Sequence, residues 1–280
     1  MKILHKRGHL KFLGICLLAG ASWVQAGYYF ESKTTGEGQG AQTQSMVAKG
    51  WVSGENMKVL LEASGNPMAP SGSYLLSHDA GKTTYLVNPK EKTYAKWDMD
   101  ALMGMVGAVG SMIKWEFSDI KVEKLAEGPG EPVAGIPTQY YKFRTTYRQK
   151  VQILMMKQDA QVEKIDEIWA APQLVEKALG VYLRKTPPKT GNESFDKFVA
   201  MEFAKVQGIP LKMRSVTTTK DSKGKTDTQV VTMEVTTFQS LPVPDSTFAL
   251  PADYKEVELF PGAGDGDNPM SKLFGGKKGS

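Results

Sequence analysis

The chain has 280 residues, one cysteine, three histidines and a formal charge of +5. The cysteine (Cys16), two histidines (His5, His9) and four basic residues (Lys2, Lys6, Arg7, Lys11) fall in the first 26 residues; removing those four from the 35 basic residues leaves 31 against 30 acidic ones. Beyond residue 26 this excludes a disulfide, a cysteine nucleophile and a zinc site of cysteine and histidine, and it leaves no overall field to attract nucleic acid.

Residues 1–26 read as a signal peptide: a basic start, a short apolar run from Phe12 to Ala21, and the small-x-Ala site Val24-Gln25-Ala26. The run is too short to span a bilayer. A lipoprotein signal using Cys16 is the rival, but Ile15 is bulky for it and the apolar run continues past the cysteine. The expectation is a periplasmic or secreted protein, cleaved after Ala26 and not membrane-spanning afterwards. A stable core must then come from the 254 residues that follow, which is ample length.

From Gly27 the pattern is mostly strands. Met57, Val59 and Leu61 alternate on one side of a strand. His78, the one histidine left to serve a Ser-His-Asp triad, precedes an Asp-Ala-Gly-Lys turn and reads as a turn residue. "TYLVNPKEKTYAKW" predicts a hairpin turning over Asn88 to Lys92.

Asp98 to Trp115 reads as a helix without a charge between Asp100 and Lys114. Met99, Leu102, Met103, Met105, Val106, Val109, Met112 and Ile113 give it apolar bulk, and such a helix is buried or meets something apolar. Its glycines, Gly104, Gly107 and Gly110, do not have the spacing of a nucleotide loop. The segment either packs in the core or forms a lid over an apolar cavity; methionines suit a surface that repacks around ligands, and as a lid these eight residues are the candidate apolar-binding site.

Tyr141, Phe143, Tyr147, Val151, Ile153 and Met155 alternate with Lys142, Arg144, Arg148, Lys150 and Gln152, the pattern of one long strand or two with a wet face. Lys142, Arg144, Arg148 and Lys150 are the candidate contact for an anionic head group or an acidic partner. Glu163 and Glu167 share the solvent side of the next strand, and Asp166 points the other way. Pro172 to Leu183 reads as a second helix, opened by proline. Asn192-Glu193-Ser194 is a glycosylation sequon that doubles as a helix cap. The third helix, Ser194 to Val206, puts Phe195, Phe198, Val199, Phe203 and Val206 on one face and Asp196, Lys197, Glu202 and Lys205 mostly away from it.

Gly-Ile-Pro occurs twice, at 135–137 and 208–210, each time before an alternating run. Glycine can turn the chain with positive φ, and proline fits the first residue of a strand, so both copies read as strand entrances. A hairpin around Asp221 to Gly224 follows, with Val231, Met233 and Val235 on one face of its return strand. Residues 261–280, rich in glycine and lysine, read as a disordered tail, and no linker divides 27–260 into domains. "DGDNP" at 265–269 lacks the glycine and glutamate of a calcium loop. No cofactor or metal site is expected.

The order "GYYFES", "LVNPKEKTY", apolar helix, "GIPTQYYKF", "DEIWAAPQL", "GIPLKMRSV", "DSTFALPADYKEV" is similar to an uncharacterised bacterial exported family of unknown function. Its layout resembles the outer-membrane lipoprotein-carrier (LolA/LolB-like) superfamily, where chains often end in a Phe-x-x-Pro-x-x-Tyr strand. The resemblance implies an α+β fold, mostly antiparallel: a curved, unclosed half-barrel with two or three helices covering its concave face, where lipid chains are held. It brings no catalytic residues. The resulting expectation is a non-enzymatic binding protein for a lipid or other apolar ligand. The alternative is an envelope interaction module using the basic face or a sheet edge. Among enzymes, composition leaves a carboxylate-only glycosidase open.

Overall fold

The computed structural model describes residues 26–38, 41–67, 69–81, 83–97, 113–153, 156–174 and 193–258. They form one twelve-stranded sheet: β1 (Ala26–Glu37), β2 (Met46–Ser53), β3 (Asn56–Ser64), β4 (Tyr74–Ser77), β5 (Thr84–Asn88), β6 (Thr93–Trp97), β7 (Ile113–Val133), β8 (Ile136–Ile153), β9 (Met156–Ala171), β10 (Ile209–Asp221), β11 (Thr226–Pro242) and β12 (Lys255–Glu256). Helix α1 (Glu193–Phe203) precedes β10. The spatial order is β12-β6-β5-β4-β3-β2-β1-β11-β10-β9-β8-β7, and every pairing is antiparallel except β12 with β6.

The sheet is open and curved. The Glu131 carboxylate on β7 lies 2.7 Å from the Lys212 ammonium on β10, three strands away. Residues of β7 and β11, four strand spacings apart, come within 8 Å of each other, where flat strands would lie about 19 Å apart. Three register shifts along β7 against β8 add local twist, one of them beside Asp119, whose φ is +54°.

Register assigns the faces. Leu86, Leu75, Val59, Gly50 and Phe30 lie opposite one another in sequence across β5 to β1, as do Leu61, Ala48, Ser32 and Val235. This face, called inner here, holds the larger core, including Phe30, Ala48, Val52, Met57, Val59 and Leu61. Phe30 lies flat against Gly50, where a Cβ would come within 2.1 Å of its ring. On the outer face Tyr74, Leu76 and Val87 are buried under Val243 and Phe248, with Leu250 and Tyr254 packed alongside. The "STFALPADY" segment is thus a cover rather than a strand. It starts inside a 3-10 turn (Asp245–Phe248) and leads into the two-residue β12, and it buries Phe248, which is 2% exposed.

Several expectations hold. The β5–β6 and β10–β11 hairpins are where the pattern placed them. The alternating run from Tyr141 is a single strand, β8, through Ile153; Met155 lies outside the described residues. Both Gly-Ile-Pro motifs enter strands, with Gly135 at φ +78° and Gly208 at φ +94°. Ala134 (φ +48°) and Gly135 form a two-residue turn with both φ positive, the geometry that matches strand twist in a hairpin.

The helices are the correction. Two or three were expected; among the described residues there is one α-helix. Ile113, Lys114 and Trp115, read as the end of the apolar helix, pair with Ile153, Gln152 and Val151 as the start of β7. That hydrogen-bonded pairing overrides the local helical pattern. Pro172 and Gln173 form a turn after β9 instead of a helical start. The remainder of those two segments, and the tail, lie outside the described residues. The 21-residue β7 was not anticipated; it is an edge strand, where Pro129 and Pro132 are tolerated.

Truncating Phe248 to Ala should cost about 3–5 kcal/mol, read as a lowered urea midpoint, since it empties the centre of the outer core.

Candidate functional site

Two features share the inner face. The first is an apolar pocket of about 70 Å³ between β1, β2, β10 and β11. Phe30, Met46, Leu211, Met233 and Val235 supply its walls, Ile209 and Pro210 close one end, and Ser32 and Thr34 add hydroxyls. No charged side chain lines it. The second Gly-Ile-Pro therefore does more than open a strand: its turn delivers Ile209 and Pro210 to the pocket.

The second feature lies further along the same face. Register continues from Val231 through Ser215 and Asp166 to Phe143, and from Thr217 through Lys164 to Thr145. Above them sits α1. Phe195 and Phe198 pack on Phe117 at centroid distances of 5.6 and 5.2 Å, and Phe198 meets Tyr147 at 4.8 Å. The Phe117 backbone N–H donates to Ser194 Oγ at 3.3 Å, tying the helix start to the edge strand.

Past this aromatic contact the helix brings in charges. Lys205 Nζ donates to Thr145 Oγ1 at 2.6 Å and to Asp166 Oδ2 at 3.2 Å, pairs with Glu202, and lies 5.8 Å from the Phe143 ring centre. Lys164 Nζ bridges Asp166 Oδ2 at 3.1 Å and Glu202 Oε2 at 3.0 Å. Thr145 donates to Glu202 Oε1 at 3.4 Å, and Ser215 donates to Asp166 Oδ1 at 2.5 Å. The Lys205 and Asp166 side chains are 3% and 2% exposed; Glu202 and Lys164, at 19% and 25%, form the rim. Two ammonium groups face two carboxylates, so the network is neutral as a unit. Burial alone would push the Asp166 carboxyl up, but Lys164, the Ser215 hydroxyl and Lys205 outweigh it and hold it below the usual range. Burial likewise disfavours the Lys164 charge, yet Asp166 and Glu202 leave its pKa raised.

Of the sequence-predicted site residues, Met99, Leu102, Met103, Met105, Val106, Val109 and Met112 lie outside the described residues, and Ile113 is the first residue of β7. Lys142, Arg144, Arg148 and Lys150 do share the outer face of β8, each against carboxylates. Lys142 is 3.3 Å from Glu167, Arg144 is 3.4 Å from Glu123 and 3.7 Å from Glu163, and Lys150 is 3.6 Å from Glu116. Arg148 grips Asp159 with two nitrogens at 2.8 and 2.7 Å. The face is a mixed-charge ladder. Glu163 and Glu167 stand on it, and Asp166 points to the inner face, as the alternation required.

Helical periodicity places Glu202 and Lys205 mostly away from the apolar face; in the structure both are turned onto the sheet. Two signals were present: Lys164 and Asp166 interrupt the apolar face of β9 between Val162 and Ile168, and Glu202 and Lys205 are spaced i,i+3.

The chain belongs to the DUF4412 family, a domain of unknown function whose model matches residues 33–254. Among curated proteins none matches it. Among the described residues no helix is long and apolar enough to cross a membrane, and no group of three or more metal-ligating residues could hold an ion. The match to this DUF4412 chain spans β2 to β11 and the Phe248 cover, so the network lies within it, as does the pocket apart from Phe30 and Ser32.

The charge network sets a pH profile. Asp166, with its lowered pKa, contributes stability that is present above the unfolded carboxylate value near 3.9 and lost as pH falls through the folded one. Lys164, with its raised pKa, contributes stability present below about 10.4 and lost as pH rises through its folded value. Urea midpoints should be flat between about pH 5 and 9 and fall at both ends. Asp166→Ala, which leaves the buried Lys205 and the rim Lys164 to share the single Glu202 carboxylate, should cost about 3–5 kcal/mol at pH 7 and flatten the acid limb.

Proposed function

We propose that this is an exported, non-enzymatic binding protein that holds an acyl chain or another apolar ligand at the inner-face pocket. The observation that carries the reading is the pocket itself: an uncharged recess with an aromatic floor and two methionines on the inner face of a curved open sheet. The similarity in layout to the LolA/LolB-like carriers, where such a concavity holds lipid chains, supports the same reading.

Size sharpens it. Pockets for drug-sized ligands occupy about 300–1,000 Å³, several times this one. The pocket as it stands takes a short stretch of chain, and a longer one requires Met46 and Met233 to swing aside, which flexible thioether side chains do at low cost. The apolar segment around Met99 to Met112 would complete the enclosure as a lid under this proposal. The alternative, an interaction module built on Lys142, Arg144, Arg148 and Lys150, is less favoured because each already meets a carboxylate.

Native mass spectrometry of protein taken from its envelope fraction without detergent tests the reading. The expected result is a discrete added mass that disappears on organic extraction. Met233→Trp, which fills the pocket, should reduce uptake of the neutral fluorophore N-phenyl-1-naphthylamine at least tenfold and leave the urea midpoint little changed. A clean apo mass together with no uptake of the fluorophore by the unmodified protein would overturn it.

A further inference from the structure

The Glu202 carboxylate occupies a place shaped for an anion. It receives Lys164 at 3.0 Å on one oxygen and the Thr145 hydroxyl at 3.4 Å on the other, and it pairs with Lys205. Beneath it, Lys205 and Asp166 are nearly sealed from solvent, whereas Glu202 and Lys164 lie at the open rim. Without Glu202 the seat would hold two ammonium groups against one carboxylate. A net positive, partly desolvated seat with a hydroxyl donor takes a monovalent anion, and the chain supplies its own.

The seat also lies on a path from the pocket. Met233 of the pocket is opposite Met213, which is opposite Ile168, and Asp166 and Lys164 follow on the same face of β9. Two strand spacings and four residues along a strand place Lys164 about 16 Å from the pocket. An acyl chain anchored at Met233 can run across Met213 and Ser215 and set its head group at the rim.

We infer that Glu202 closes an anion site from within the chain, and that the carboxylate head group of an acyl ligand displaces it from Lys164, Lys205 and Thr145. The acyl part of this inference rests on the pocket reading above; the anion seat does not. Exchange of one carboxylate for another keeps the network neutral, so it avoids stranding a buried charge. Glu202 competes at high effective concentration because α1 tethers it. A short free carboxylate therefore loses to it, and a ligand that also fills the pocket gains what it needs to win. Displacement would release the charged end of α1 while the Phe195 and Phe198 contacts remain.

Glu202→Ala separates the two parts. Acetate, too short to use the pocket, should raise the melting temperature of Glu202→Ala and not that of the unmodified protein, with chloride at equal ionic strength as the reference. Palmitate, whose extended chain spans that distance, should bind Glu202→Ala at least tenfold more tightly than the unmodified protein, and hexadecanol should not distinguish them. Adding Lys164→Met should erase both effects. If acetate stabilises Glu202→Ala no more than chloride does, the anion seat is overturned. If acetate works and palmitate shows no gain over it, the seat stands and the pocket reading fails. Should Glu202→Ala not fold, Glu202→Gln keeps the shape and removes the charge, and the same palmitate-to-hexadecanol comparison on it decides: equal preference in both proteins overturns the inference.

Discussion

Two ammonium groups and two carboxylates lie on the inner face of the sheet, and their mutual compensation is what lets α1 close over β8 and β9. Any one of them alone would cost several kcal/mol in that setting. Together, with the Thr145 and Ser215 hydroxyls taking up further valences, they make a neutral polar floor. The rest of the inner face is arranged around that floor. The aromatic group of Phe117, Tyr147, Phe195 and Phe198 borders it at the edge-strand side, and the Met213–Met233 pair leads from it to the apolar pocket.

A single open sheet has two faces to cover and two edges to protect. Over β3 to β6 the outer face is covered by the segment from Val243 to Tyr254, which then adds β12 to the edge of β6. The opposite edge, β7, is long but carries bulges, prolines and alternating charges, features that discourage pairing with another chain. Its Phe117 N–H is taken by Ser194 in the first turn of α1. Curvature brings Glu131 over to Lys212, so the far end of the edge strand is tied to β10 by an ion pair.

Much of this was legible along the chain. Period-two alternation in β3, β8 and β11 assigned side chains to faces correctly, and the Lys142–Lys150 face is where the pattern put it. The glycines of the two Gly-Ile-Pro motifs announced positive φ. Local signals failed where the partner was distant. Ile113 to Trp115 continue a helical pattern, yet strand β8 claims them. Glu202 and Lys205 look solvent-facing on a helical wheel, but their partners, Lys164 and Asp166, are nearly 40 residues away in β9. β7 hid behind its prolines and glycines because an edge strand tolerates what a central one does not.

By itself the sequence determined the mostly antiparallel strand content, the hairpins, the strand entrances and the lack of any thiol beyond residue 26. Each of these follows from the local geometry of one residue type or from composition. The tertiary structure alone decided which charges are buried, which face of α1 meets the sheet, and that Ile209, Pro210 and Met233 meet Phe30 and Met46 around one pocket. Burial and electrostatic compensation are properties of groups brought together from separate strands, and pairing order across the sheet is not written in any local stretch of the chain.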